Sequence, residues 1–155
     1  MTGRKAVAID ANLLVLFIVG TTSAEYITKY KHCAVFEQSD FELLVAVLLE
    51  AAEIILTPNT LTEASNLLRQ IGEPARTEVC SVFQAYIRNA TERYVESRRA
   101  TKRTEFIRLG LADAALLEIQ EDDVVILTTD LDLYLSACRN GRLALNFFHL
   151  KEARA

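Results

Sequence analysis

Short β-branched runs alternate with longer helical patterns along the chain, and this alternation restricts the possible folds more than any other feature. Parallel strands need a crossover of about a dozen residues or more, usually a helix, and the segments between these runs have that length. The sequence therefore predicts an α/β domain with a central, mainly parallel sheet of four or five strands flanked by helices. Strands are predicted at 5–9, 54–57 and 124–128, and a fourth within 143–150.

Apolar periodicity predicts the helices that connect these strands. The first of them follows the first strand directly and has enough leucine to be buried on all sides, whereas residues 20–39 are mixed and polar and predict a short helix within a long connection. At 155 residues, of which 51% are hydrophobic, the chain is expected to form one domain over residues 1–155. Helices are predicted at 11–19, 40–53, 60–72, 74–90, 109–120 and 131–140.

Neither a membrane span nor a disulfide framework is expected. The most apolar run, Val7 to Val19, is shorter than the ~20 residues a span requires and contains Asp10 and Asn12. The basic residues before it are few, and no small-residue cleavage site follows, so it does not resemble a signal peptide. Three scattered cysteines without a CxxC pair indicate reduced thiols and a cytoplasmic protein.

Four acidic residues stand close to the ends of predicted strands. Asp10 and Asp130 each follow a strand directly, and Glu63 follows one through a short turn. The carboxyl ends of parallel strands lie at one edge of the sheet, where open α/β sheets bind their ligands. Asp113 begins the helix that leads to the third strand, so it reaches that edge only if its helix is long or tilted.

Each acid also has a purely structural interpretation. Asp10 and Asp130 suit helix N-caps, Thr60-x-x-Glu63 is a capping box, and Asp113 suits the first turn of a helix. Four converging carboxylates, however, could not all stay ionised without a counter-charge, and a divalent cation supplies one. An all-oxygen set without clustered cysteine or histidine favours Mg²⁺ or Mn²⁺ over Zn²⁺.

The segments around these acids resemble the PIN-domain ribonucleases. They occur in the order found in that family, and the resemblance extends over nearly the whole chain. It implies a PIN-like three-layer fold with a twisted parallel sheet, an acidic Mg²⁺ or Mn²⁺ pocket, and endonucleolytic hydrolysis of single-stranded RNA. The matching segments are AIDANLLV (8–15), TPNTLTEASNLL (57–68), LGLADAALLEI (109–119) and VILTTDLDLYL (125–135).

The resemblance also implies roles for individual residues. Asp132 is an alternative to Asp130 as the fourth acid of the family's set and is kept as a further candidate metal ligand. Whether the site holds one metal ion or two stays open. The family's catalytic and metal-binding acids fall on Asp10, Glu63, Asp113 and Asp130. Its small polar partners fall on Asn12 and on Thr128 or Thr129.

The basic residues are concentrated in one segment. Residues 88–108 contain seven basic and three acidic side chains, so this segment carries +4 while the whole chain carries −4. A basic segment on an acidic protein favours a localised phosphate contact, and the side chains predicted to bind RNA are Arg98, Arg99, Lys102 and Arg103. The alternative is a solvated helix end with pairs such as Glu96–Arg99 or Arg103–Glu105.

Three further hypotheses remain open at this point. A catalytically silent PIN-like scaffold that binds RNA or a protein would keep the same fold. An aspartyl-phosphate phosphatase would use Asp10 as the nucleophile, although the second acid of that chemistry is replaced by Asn12. A toxin-type nuclease would bring an antitoxin-like protein partner, and a homodimer also stays open.

Overall fold

The computed structural model describes residues 3–154 and contains one five-stranded sheet in the order β3-β2-β1-β4-β5. Every neighbouring pair of strands is parallel, which confirms the predicted α/β class. The strands are β1 (Val7–Ile9), β2 (Ile54–Leu56), β3 (Thr91–Glu92), β4 (Val125–Thr128) and β5 (Ala144–Asn146). The edge strand β3 is the one that the sequence does not predict.

Nine α-helices within the described residues surround this sheet. Two short 3₁₀ helices, Ala24–Thr28 and Lys31–Cys33, occupy the long connection after the first helix. Nowhere in residues 3–154 does a helix have the length and apolar character needed to cross a membrane. The α-helices are α1 (Ala11–Thr22), α2 (Gln38–Leu49), α3 (Pro58–Leu68), α4 (Ala75–Arg88), α5 (Ser97–Thr101), α6 (Phe106–Leu109), α7 (Leu111–Leu117), α8 (Leu131–Arg139) and α9 (Phe147–Arg154).

Alternate residues of the central strands pack into two separate apolar layers. In β1, Val7 and Ile9 join the cluster formed with α1 to α4 and α9, whereas Ala8 joins the cluster formed with α5, α7 and α8. Successive strand side chains point to opposite faces, so helices cover both faces of the sheet. The result is a three-layer arrangement consistent with the PIN-like fold.

Two segments differ from the prediction in ways that affect the site. The helix predicted over 109–120 is divided at Gly110, whose φ of +86° is rarely adopted by residues with a side chain. The apolar segment 143–150 is a strand only to Asn146, whose Oδ1 accepts hydrogen bonds from the N–H groups of Phe148 (2.9 Å) and His149 (3.3 Å). These bonds satisfy donors in the first turn of α9, so His149 lies in a helix and not at a strand end.

Candidate active site

The strand order creates a switch point between β1 and β4. From β1 the chain adds β2 and β3 on one side, and then β4 and β5 on the other. Asp10 follows β1 at the carboxyl edge, and its N–H donates to the Leu127 carbonyl of β4 at 3.3 Å. Open α/β sheets bind ligands in the crevice at such a point, and two of the predicted acids, Asp10 and Asp130, border it.

Asp10 is almost completely buried and is held by hydrogen bonds from three residues, Leu13, Thr128 and Thr129. Its Oδ1 accepts a hydrogen bond from the Leu13 N–H at 3.0 Å, which caps α1. Its Oδ2 accepts from the Thr128 hydroxyl and from the Thr129 N–H at 3.0 Å. Burial raises the pKa of Asp10, the three hydrogen bonds oppose that rise, and the charge of Asp130 adds to it. The N-cap interpretation is confirmed, yet Oδ1 retains a lone pair that could bind a cation.

Asp130 caps the next helix at the same edge and is linked to Asp10 through Thr128. Its Oδ1 accepts from the Leu133 N–H at 3.0 Å, and its own N–H donates to the Thr128 hydroxyl at 2.9 Å. Thr128 is fully buried between the two acids, whereas Thr129 contributes mainly its N–H. Of the two threonines, Thr128 is therefore the one whose hydroxyl orients the site.

The capping-box interpretation of Glu63 is wrong. Helix α3 begins at Pro58, and its N-cap is Thr57, whose Oγ1 accepts from the Thr60 N–H at 3.1 Å. Proline is favoured at this first position because its missing N–H would have no partner there. Glu63 therefore lies beyond the first turn, where it has no hydrogen-bond donor among the described residues. Partial burial raises the pKa of Glu63, and the charge of Asp10 raises it further.

Asp113 interacts electrostatically with each of the other three acids. It lies half-buried in the first turn of α7, which begins directly after the break at Gly110. Within residues 3–154 no group donates a hydrogen bond to its carboxylate. Burial, followed by the charges of Asp10, Asp130 and Glu63, raises its pKa to about 7. The four predicted acids thus share one electrostatic environment.

The two remaining candidate polar residues, Asp132 and Asn12, are both exposed to solvent. Asp132 is exposed in the first turn of α8, and its charge is not among those that raise the pKa of Asp113. The charge of Asp130, by contrast, contributes to that rise, and the choice between the two as the fourth acid stays a prediction. Asn12 is exposed in the first turn of α1, and its side chain has no hydrogen-bond partner in the described part of the chain.

The donor chemistry suits Mg²⁺ or Mn²⁺, but a complete ligand cage is not preformed. Among residues 3–154, no three histidine, cysteine, aspartate or glutamate side chains stand close enough together to hold a metal ion. Asp10 is fixed by its hydrogen bonds, whereas Glu63 and Asp113 have no such restraint and belong to separate helices. Binding of a cation at these oxygens therefore requires movement of at least one of the less restrained side chains.

The basic segment divides into paired and unpaired cations. Glu118, at the end of α7, binds Arg99 at 3.1 Å and Arg103 at 2.7 Å, and Arg103 also pairs with Glu105 at 3.3 Å. The Arg103–Glu105 pair matches the structural alternative, whereas Arg99 pairs with Glu118 and not with Glu96. Glu118 lies about 7.5 Å along the helix from Asp113, so these two arginines bind the far end of α7.

Arg98 and Lys102 are exposed, and neither forms an ion pair within the described chain. These two side chains remain available for a phosphate backbone. RNA binding by the basic segment stays a prediction, and it now depends chiefly on this pair.

A groove beside the acids has no counterpart in the sequence-based prediction. It lies between α3 and the start of α7, has a volume of about 390 Å³, and includes Glu63 in its wall. The signal that could have revealed it is the polar spacing Asn59, Thr62, Glu63 and Asn66, which places all four side chains on one face of a helix.

No known protein-family model matches the chain, and a search of curated proteins finds no significant relative.

Proposed function

We propose that the chain is an endoribonuclease that uses Mg²⁺ or Mn²⁺ to hydrolyse phosphodiester bonds of single-stranded RNA, in the manner of the PIN-domain ribonucleases. The observation that carries the proposal is the raised pKa of Asp113, to which burial and the charges of the other three acids all contribute. None of the basic side chains in residues 3–154 forms an ion pair with any of these four acids. A divalent cation is the counter-charge that such a cluster lacks.

The acids divide into fixed and adaptable groups. Asp10 is the fixed ligand because Thr128, Thr129 and Leu13 hold both of its oxygens. Glu63 and Asp113 are the adaptable ligands, and Asp113 can keep its proton near neutral pH until a cation replaces it. A bound cation supplies an activated water and stabilises the charge that develops on the phosphate.

The proposal is tested by cleavage of end-labelled single-stranded RNA with Mg²⁺, with Mn²⁺ and with chelator. Glu63→Gln and Asp113→Asn remove charge without removing a hydrogen bond, because neither carboxylate has a protein donor within residues 3–154. Asp10→Asn is less suitable because its amide nitrogen would face the donors of Thr128 and Thr129.

We expect Glu63→Gln and Asp113→Asn each to lower the cleavage rate about 10³-fold, since each removes several kcal/mol of charge stabilisation in the transition state. Asp123→Asn is the matched control, because Asp123 is exposed in the turn before β4. Cleavage by Asp113→Asn at the wild-type rate, or wild-type cleavage that persists in chelator, would contradict the proposal.

A catalytically silent scaffold is the second candidate, and it is favoured by the lack of a preformed cage among the described residues. Such a protein would bind RNA equally well with and without divalent cation and would not cleave it. Either protein would be cytoplasmic under our proposal, since Cys33, Cys80 and Cys138 are all unpaired thiols, as expected in a reducing compartment.

A further inference from the structure

The groove between α3 and the start of α7 combines an apolar wall with a row of polar side chains. Pro58, Leu111 and Ala112 form the apolar part, and Leu111 is 36% exposed to solvent. The polar row comes from α3, at positions separated by three, four and seven residues, and consists of Asn59, Thr62, Glu63 and Asn66.

The neutral members of this row have unused hydrogen-bonding capacity. Within residues 3–154, the side chains of Asn59, Thr62 and Asn66 make no hydrogen bond to the protein. Each asparagine presents one carbonyl acceptor and an NH₂ group, and the threonine hydroxyl can both donate and accept. Together they offer donors and acceptors over about two turns of helix.

The groove and the acidic cluster share Glu63. This side chain lines the groove, and it also lies close enough to Asp10 and Asp113 for their charges to interact. Asn59 and Asn66 are each about 4–6 Å from Glu63 along the helix axis. A nucleic acid strand with one phosphate at the acids would therefore place a neighbouring nucleotide at the groove.

We propose that this groove holds an unpaired nucleobase next to the scissile phosphate, and that Asn59, Thr62 and Asn66 recognise the edge of that base. The inference rests on the proposed nuclease function and adds a sequence preference to it. Proteins that recognise single-stranded RNA commonly bind splayed bases through hydrogen bonds to their edges. Asparagine side chains are well suited to such edges because the amide can pair in a bidentate manner.

The charge of the groove argues against a phosphate as its occupant. Among residues 3–154, no lysine or arginine lines it, and the one charged side chain that does, Glu63, would repel an anion. A neutral, flat base with polar edges matches both the apolar wall and the uncharged amides. The backbone phosphates are then left to the cation site and to the exposed cations of the basic segment.

The test is cleavage of an RNA pool with a randomised segment, followed by sequencing of the product ends. For the wild-type protein we expect a base preference at one position that flanks the cut. Asn59→Ala and Asn66→Ala should weaken that preference about three- to tenfold, the effect of losing one or two hydrogen bonds. Ser65→Ala, on the same helix but outside the groove, is the matched control and should leave the preference unchanged.

A second readout separates this inference from the nuclease proposal. We compare two proteins, Asp113→Asn alone and Asp113→Asn combined with Asn66→Ala, after urea unfolding has shown that both fold. For each we measure the affinity for short RNA homopolymers of adenine, cytosine and uracil. Wild-type cleavage with a base profile unchanged in both groove variants would overturn the groove proposal alone. If the wild-type protein does not cleave RNA, a preference among the homopolymers that Asn66→Ala reduces would still support base recognition by the groove. Affinities for each homopolymer that are the same with and without Asn66→Ala would overturn it.

Discussion

The buried hydroxyl of Thr128 donates a hydrogen bond to Oδ2 of Asp10, a residue 118 positions earlier in the chain. The same hydroxyl accepts a hydrogen bond from the N–H of Asp130 at 2.9 Å. One side chain thereby joins the carboxyl ends of β1 and β4 and orients the acids on both sides of the switch point. The orientation of the Asp10 carboxylate therefore depends on the pairing of β1 with β4.

Replacing Thr128 should separate the role of its hydroxyl from that of its methyl group. Thr128→Val leaves Oδ2 of Asp10 and the N–H of Asp130 without this partner, so the free energy of unfolding should fall by about 1–3 kcal/mol. Thr128→Ser keeps the hydroxyl and loses one buried methyl group, which costs about 1 kcal/mol or less. Urea unfolding of the two variants measures the difference, and equal losses would show that the hydroxyl contributes little.

The raised pKa of Asp113 predicts how the stability of the metal-free protein depends on pH. The native carboxyl has a pKa of about 7 and the unfolded one 3.8, so the native state holds this proton more tightly. The stabilisation is fully present below about pH 4 and is lost as pH rises through 7. We expect the free energy of unfolding to fall by about 2–4 kcal/mol over that interval.

Asp113→Asn should remove most of this pH dependence and should make the metal-free protein more stable than wild type at pH 8. The substituted amide loses no hydrogen bond from the described residues and no longer carries a charge beside Asp10. Asp123→Asn is the control and should keep the wild-type slope. A wild-type slope that persists in Asp113→Asn would assign the titration to another group.

The division within the basic segment predicts different outcomes for two double variants with the same loss of charge. Arg98→Gln with Lys102→Gln should raise the Kd for single-stranded RNA and lower the log–log salt slope by about 1.4, because about 0.7 is lost per phosphate contact. Stability should not change, since both side chains are exposed and unpaired within the described chain.

Arg99→Gln with Arg103→Gln should instead lower the free energy of unfolding by about 1 kcal/mol, because both partners of Glu118 are lost. Its salt slope should remain near that of wild type. Salt titrations of RNA binding test both variants. Equal effects of the two variants on affinity would indicate a general electrostatic field and not specific contacts.

The positions of the strand-end acids could be predicted because they depend on local sequence. A β-branched run followed at once by an acid and a helical pattern fixes Asp10 and Asp130 at helix N-caps beside the carboxyl edge. Parallel pairing of the two strands then brings the acids to one edge. Their large separation in the chain does not prevent this, because parallel neighbouring strands end at the same edge of the sheet whatever lies in the connection between them.

Features that depend on tertiary contacts were not predictable in the same way. Strand β3, only Thr91 and Glu92, has no β-branched run and is a strand because it lies beside β2. The first residues of helix α9 are apolar and fall within the segment 143–150 for which a strand is predicted, although Asn146 is recognisable as a cap. Asp113 lies in the first turn of α7 because Gly110 separates this helix from α6, and a helical pattern alone does not reveal that break.

The central claim, that the four acids form a cation site, is tested most directly by calorimetric titration with Mn²⁺ near pH 7. We predict that wild type binds Mn²⁺ with release of a fraction of a proton, because Asp113 must deprotonate to become a ligand. At a hundred times Kd, the bound ion should stabilise the fold by about 2.7 kcal/mol. Asp113→Asn should bind more weakly and release no proton, and Asp123→Asn should match wild type. No binding to wild type, or identical binding and proton release in Asp113→Asn, would contradict the claim.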